Sequence, residues 1–92
     1  MNKQLNILVV EDQKSSYQLI DRALSEINVN VKLIWLQSGD EVLPLLEQQG
    51  KTIHAIFLNL KLPKLEGSEV LKLLEQRPDI PRLPIYILSG LP

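Results

Sequence analysis

Leu5-Asn6-Ile7-Leu8-Val9-Val10-Glu11-Asp12 is the stretch whose reading decides the fold. Its first six residues form a nearly unbroken apolar run rich in β-branched side chains, and two acids close it abruptly. Such a run suits a strand covered on both faces, as in a parallel sheet. Downstream the period changes. Tyr17, Ile20, Ala23, Leu24 and Ile27 fall on one helical stripe within Lys14 to Ile27. Asn28 and Asn30 mark a break, and Val31 to Leu36 reads as a second strand. Ser38-Gly39-Asp40 signals a helix start ahead of Val42, Leu43 and Leu46, and Gly50 ends that helix. Pro44 is tolerable only near the first turn and is expected to distort the helix if it lies deeper. Ile53 to Leu58 is a third strand, Val70, Leu71 and Leu74 mark a third helix that Pro78 must stop, and Ile85 to Leu88 is a fourth strand.

The order βαβαβαβ predicts an α/β fold, a three-layer αβα arrangement around a parallel sheet. The chain has 92 residues, enough for one domain spanning 1–92, and buries roughly 60–65% of its unfolded surface. A hydrophobic fraction of 45% and a charged fraction of 23% are those of an ordinary soluble globular protein. A net charge of −1 gives no electrostatic reason to expect nucleic acid or an anionic membrane as partner. The absence of cysteine removes disulfides, thiolate metal sites and thiol nucleophiles, and fits a cytoplasmic location. The first apolar run is too short to cross a membrane and meets two acids at once, so it reads as a strand and not as a signal peptide.

In open sheets of this kind, ligands bind beyond the carboxyl ends of the strands. The residues there are Glu11 and Asp12 after the first strand, Asn59 after the third and Ser89 after the fourth. Paired carboxylates are hard oxygen ligands suited to Mg²⁺, and a nearby hydroxyl can hydrogen-bond a phosphoryl oxygen. The competing reading is a set of solvated loop residues.

The segments Ile7 to Gln13 (ILVVEDQ), Leu58 to Leu71 (LNLKLPKLEGSEVL) and Leu83 to Gly90 (LPIYILSG) resemble the receiver domains of two-component signalling. The likeness runs in order over essentially the whole chain. It implies the flavodoxin-like strand order 2-1-3-4, with Mg²⁺ held by an acidic pair and a phosphoryl group passed from a histidine kinase to an aspartate. Carried over by position, Glu11 and Asp12 match the acidic pair, Asn59 the acceptor, the Lys61 backbone carbonyl a metal ligand, and Ser89 the switch hydroxyl. Lys61 to Leu71 also resembles single-domain receivers that partner phytochrome-like kinases.

Two departures from the family shape the expected function. A carboxylate oxygen attacks phosphorus as an anion, whereas the amide of Asn59 carries no full charge and a delocalised nitrogen lone pair. Asn59 is therefore expected not to form an acyl-phosphate, and with one carboxylate fewer Mg²⁺ is expected to bind weakly or not at all. The chain also stops before the helix, the lysine-bearing fifth strand and the final helix that the resemblance implies, so it reads as an incomplete receiver or a fragment. Ile85, Tyr86, Ile87 and Leu88 would then form an open apolar edge, covered by a second copy, by swapped elements or by a partner chain.

The expectation is a non-enzymatic interaction module acting on a histidine kinase, another receiver or its own copy. The alternatives are phosphorylation at another acid such as Asp12, or a small phosphoryl-transfer enzyme, which no glycine-rich phosphate loop supports. His54 and Trp35 read as structural residues. The Lys61 ammonium either swings toward Glu11 and Asp12 or is simply solvated, and Glu69, Lys72 and Glu75 read as the wet face of the third helix.

Overall fold

A computed structural model describes residues 3–27 and 30–88. The chain runs β1 (Leu5–Val10), α1 (Lys14–Glu26), β2 (Val31–Leu36), a 3₁₀ turn (Gly39–Glu41), α2 (Val42–Gln49), β3 (Ala55–Asn59), α3 (Gly67–Glu75) and β4 (Ile85–Leu88). The strands form one sheet in the order β2-β1-β3-β4, and each neighbouring pair is parallel. This is the α/β order expected from the sequence. β1 is central, with Val10 in register with Leu36 on one side and Leu58 on the other. That placement explains why its apolar run has no polar interruption beyond Asn6.

The two faces are covered unequally. On one, Leu8, Val10, Ile56 and Leu58 pack with Val42 and Leu46 of α2, Val70 of α3, and Ile53, Leu62 and Ile80 from the connections. On the other, Trp35, Val9 and Phe57 share a row of the sheet, and the Trp35 ring stacks on Tyr17 of α1, 4.3 Å between centroids and 3° from parallel. The same row continues to Tyr86, which meets Phe57 edge-on at 5.6 Å. α1 and the α2–α3 pair thus lie on opposite faces.

Several expected boundaries shift. β3 begins at Ala55, not Ile53, because a 3₁₀ turn at Gly50–Thr52 carries the buried Ile53 into the core before the strand starts. α3 begins at Gly67, not Val70; its polar first turn is invisible to apolar periodicity. Pro44 falls in the first turn of α2, where a missing N–H costs little, so the helix needs no distortion to hold it. The stripe on α1 is only half used: Tyr17, Ile20 and Leu24 are partly buried, Ala23 and Ile27 are exposed, and no α1 residue is fully buried. Asn28 and Ser89 lie outside the described residues. Among the described residues no helix is long and apolar enough to cross a membrane.

Candidate functional site

Glu11, Asp12 and Asn59 meet at the carboxyl ends of adjacent strands because β1 and β3 are neighbours, with Val10 paired to Leu58. Glu11 is 5% exposed, so its carboxylate must find donors as it leaves water. Two N–H groups supply them at one oxygen. Asn59 Nδ2 donates to Glu11 Oε2 at 3.1 Å, and the backbone N–H of Gln13 donates to the same oxygen at 3.0 Å. The other half of the Asn59 amide is used as well: its Oδ1 accepts from the Lys61 N–H at 3.1 Å. An aspartate at 59 could make the second of these bonds but not the first.

The loop carrying the acids is fixed from several directions. Glu11 N–H donates to Leu36 O at 2.9 Å, and Trp35 Nε1–H donates to Glu11 O at 2.7 Å. Gln13 Nε2 reaches Asp12 Oδ2 at 3.2 Å, and Gln13 O accepts from Tyr17 N–H at 3.1 Å as α1 starts. Burial raises the Tyr17 hydroxyl above its ordinary pKa, and Asp21 adds to the shift, so the ring stacked on Trp35 stays neutral.

Glycine sets the opposite wall. A Cβ on Gly67 would lie 2.3 Å from Asn59 O and 2.8 Å from Leu60 Cα, closer than such atoms approach. Only glycine lets α3 begin there, with Gly67 N–H donating to Leu60 O at 2.8 Å. Gly39 does the same for the far side of the loop, where a Cβ would lie 1.7 Å from Leu65 O. Lys64 between them adopts a left-handed φ of 67°.

The oxygen donors present suit a hard cation in kind: the Glu11 and Asp12 carboxylates, Asn59 Oδ1 and the Lys61 carbonyl. They suit it less well in charge. Only two carboxylates contribute, and one oxygen each of Glu11 and Asn59 already accepts protein N–H groups. Among the described residues no group of three or more His, Cys, Asp or Glu is placed to hold a metal. The Lys61 side chain is exposed and makes no ion pair there, so it is its backbone, and not its ammonium, that reaches the site.

The remaining singled-out residues settle as follows. His54 is exposed and structural: its N–H donates to Asn6 O, and its Nδ1 accepts from Asn6 N–H at 2.9 Å, extending the β1–β3 ladder. Glu69 and Lys72 form an exposed pair at 3.7 Å, and Glu75 is exposed beside them. β4 is the outermost strand of the described sheet, with Tyr86 and Ile87 exposed and Ile85 and Leu88 partly buried. As supports of the site, Gln13, Tyr17, Gly39 and Gly67 escaped the sequence reading, which placed Tyr17 only on a helical stripe and Gly39 only at a helix start. Gln13 and Gly67 were legible only as members of the receiver-like segments Ile7 to Gln13 and Leu58 to Leu71.

Residues 7–91 match the family model described as the response regulator receiver domain. The chain belongs to that family. It is 36% identical over 88 residues to the response regulator Rcp1 of Synechocystis sp., covering 90% of this chain and 60% of Rcp1. The crystal structure of the Mn²⁺-bound form of Rcp1 superimposes with a TM-score of 0.80 at 35% identity, over 95% of this receiver and 68% of that chain. The phosphorylated cyanobacterial phytochrome response regulator RcpA gives a TM-score of 0.83 at 32% identity, over 97% of this receiver and 67% of that chain. This receiver therefore has the flavodoxin-like fold of two-component receiver domains, and it spans about 60% of the length of Rcp1, whose solved form is Mn²⁺-bound.

Proposed function

We propose that this receiver signals by binding a protein partner and is not switched by an acyl-phosphate at residue 59. The observation that carries this reading is the hydrogen bond from Asn59 Nδ2 to Glu11 Oε2. A nucleophile needs an anionic oxygen free to attack. Here the side chain is a neutral amide, with its nitrogen committed to Glu11 and its oxygen to the Lys61 N–H. One oxygen of the buried Glu11 carboxylate, Oε2, thereby accepts two neutral N–H donors, from Asn59 and Gln13.

Glu11, Asp12 and the Lys61 carbonyl are the groups that would hold Mg²⁺, and two carboxylates make that binding weak. Ser89 is the switch-equivalent hydroxyl by position. The partner surface we assign is the β4 edge, Ile85 to Leu88, to which a histidine kinase, another receiver or a second copy could bind. The likeness to phytochrome response regulators makes a phytochrome-class kinase the first partner to try.

The test is intact-mass analysis after incubation with acetyl phosphate and Mg²⁺. The wild-type protein is expected to gain no phosphoryl group, and Asn59→Asp to gain one. A phosphoryl adduct on the wild-type chain, at Asp12 or elsewhere, would overturn the proposal.

A further inference from the structure

At the end of the sheet away from the acids, one side chain closes the β1–β3 pair. Regular pairing starts at Ile7 and Ala55. Just before it, Asn6 makes three bonds to residues 52–54. Its Nδ2 donates to Thr52 O at 2.8 Å, its O accepts from the His54 N–H at 2.8 Å, and its N–H donates to His54 Nδ1 at 2.9 Å. The last bond differs in kind from the other two. A continued ladder would give the Asn6 N–H to a main-chain carbonyl, which accepts at every pH. Here the acceptor is a ring nitrogen, which a proton can occupy.

A backbone N–H can only donate, so Nδ1 must be bare, and the ring proton of neutral His54 sits on Nε2. Protonation turns Nδ1 into a donor facing the Asn6 N–H, and that bond is lost. His54 is exposed, so a proton can reach the ring. The charged side chains on the segments around it are Lys3 ahead of β1, Lys32 on β2 in register with Asn6, Lys51 in the 3₁₀ turn, and Arg82 ahead of β4. Glu47 and Asp79, which line a cleft with Lys51 and Thr52, are both bonded to Arg77. Among the described residues no carboxylate oxygen lies within 4.0 Å of the ring. No described anion is therefore placed to replace the lost bond with an ion pair.

We propose that His54 is an acid-sensitive latch on the entry to β3. Above the range in which imidazoles titrate, about pH 5 to 8, Nδ1 holds the Asn6 N–H and fixes the start of the strand. Below that range the latch is open. The unfolded chain has no such bond, so the latch's contribution is present above the range and is lost as pH falls through it. The opening is local, because Ile53 stays buried in the core and the bonds through Thr52 O and Asn6 O do not titrate. The latch involves neither Glu11 nor Asn59 and stands apart from the function proposed above.

Two measurements on the full chain test it. Long-range nitrogen–proton NMR spectra at about pH 8 should show His54 as the Nε2–H tautomer. Amide hydrogen exchange, corrected for the intrinsic effect of pH, reads the bond itself. Protection of Asn6 should fall by about three- to tenfold from about pH 8 to about pH 5. His54→Asn offers an amide oxygen near the place of Nδ1, which accepts at any pH, and should hold Asn6 equally protected at both. His54→Leu offers no acceptor, and should leave Asn6 at the low protection of the acid form at both. An Nδ1–H tautomer at about pH 8 overturns the proposal, as does Asn6 protection in the wild-type chain that does not change with pH. The same fall in His54→Asn also overturns it, since the loosening then belongs to other groups.

Discussion

On the α2–α3 face of the sheet, Leu8, Val10, Ile56 and Leu58 meet Val42, Leu46 and Val70 with essentially no solvent between them. On the α1 face the sheet contributes buried side chains, Ile7 and Val9, but α1 returns none, and Leu19 and Tyr86 stand open. One face holds the fold together. The other has surface to spare beside the acidic pair. The α2–α3 face is thus where the core of the described residues lies.

The sharpest contrast is between two leucines. Leu46→Ala, in the closed face, should cost about 2–5 kcal/mol in urea unfolding. Leu19→Ala, on the open one, should change stability by less than about 0.5 kcal/mol. Similar costs at the two positions would erase the distinction between the faces.

Gly67→Ala comes next. The added methyl meets Asn59 O and Leu60 Cα, so backbone must move, and about 1–3 kcal/mol should be lost. Because the displaced backbone is that of residues 59 and 60, amide shifts in an NMR spectrum should centre on Asn59 to Lys61. Shifts confined to α3 would show that the helix start and the site are independent.

Trp35→Phe keeps a ring against Tyr17 but leaves the Glu11 carbonyl without its donor. About 0.5–1.5 kcal/mol should go, with faster hydrogen exchange in the Glu11 to Gln13 loop as the local signature. No change in that loop would remove Trp35 from the support of the site.

The smallest effect belongs to a surface cluster on the closed side. Arg77 bonds Glu47 of α2 at 2.7 Å and both oxygens of Asp79. The Arg77 hydrogen bonds hold the Asp79 carboxyl below its ordinary value of 3.8, so its folded pKa lies below its unfolded one. The contribution is present above the unfolded value and is lost as pH falls through the folded one. Arg77→Ala should thus lower the Tm slightly at neutral pH, and the gap to wild type should close below about pH 3.8. A gap that persists in acid would point to packing by the arginine stem.

Three of the four strands were legible to the residue, because Leu5–Val10, Val31–Leu36 and Ile85–Leu88 are apolar runs bounded by polar or turn-forming neighbours. The third was misplaced because Ile53 is as apolar as a strand residue but is buried from a turn. That Glu11, Asp12, Asn59 and Lys61 lie at one end of the sheet was legible from the strand ends and the resemblance, since topology alone brings those ends together. Their bonding could not. That the Asn59 nitrogen faces Glu11, that the Lys61 backbone N–H and not its ammonium takes part, and that Trp35 grips the Glu11 carbonyl all depend on side-chain placement, which a periodic pattern does not encode. The half-used stripe of α1 misled for the same reason: amphipathicity states which face can be buried, not whether anything lies opposite it.

Under the function proposed above, the carboxamide of Asn59 holds the buried Glu11 carboxylate without help from a cation. Thermal unfolding of the wild-type protein and Asn59→Asp across a Mg²⁺ titration tests it most directly. The wild-type Tm should be almost flat in Mg²⁺. The aspartate variant should lie lower without metal, by an amount corresponding to about 1–3 kcal/mol for an unsatisfied and repelled buried carboxylate, and should climb as Mg²⁺ is added. A wild-type Tm that rises with Mg²⁺ as steeply as the variant's, or a variant as stable as wild type without metal, would contradict it.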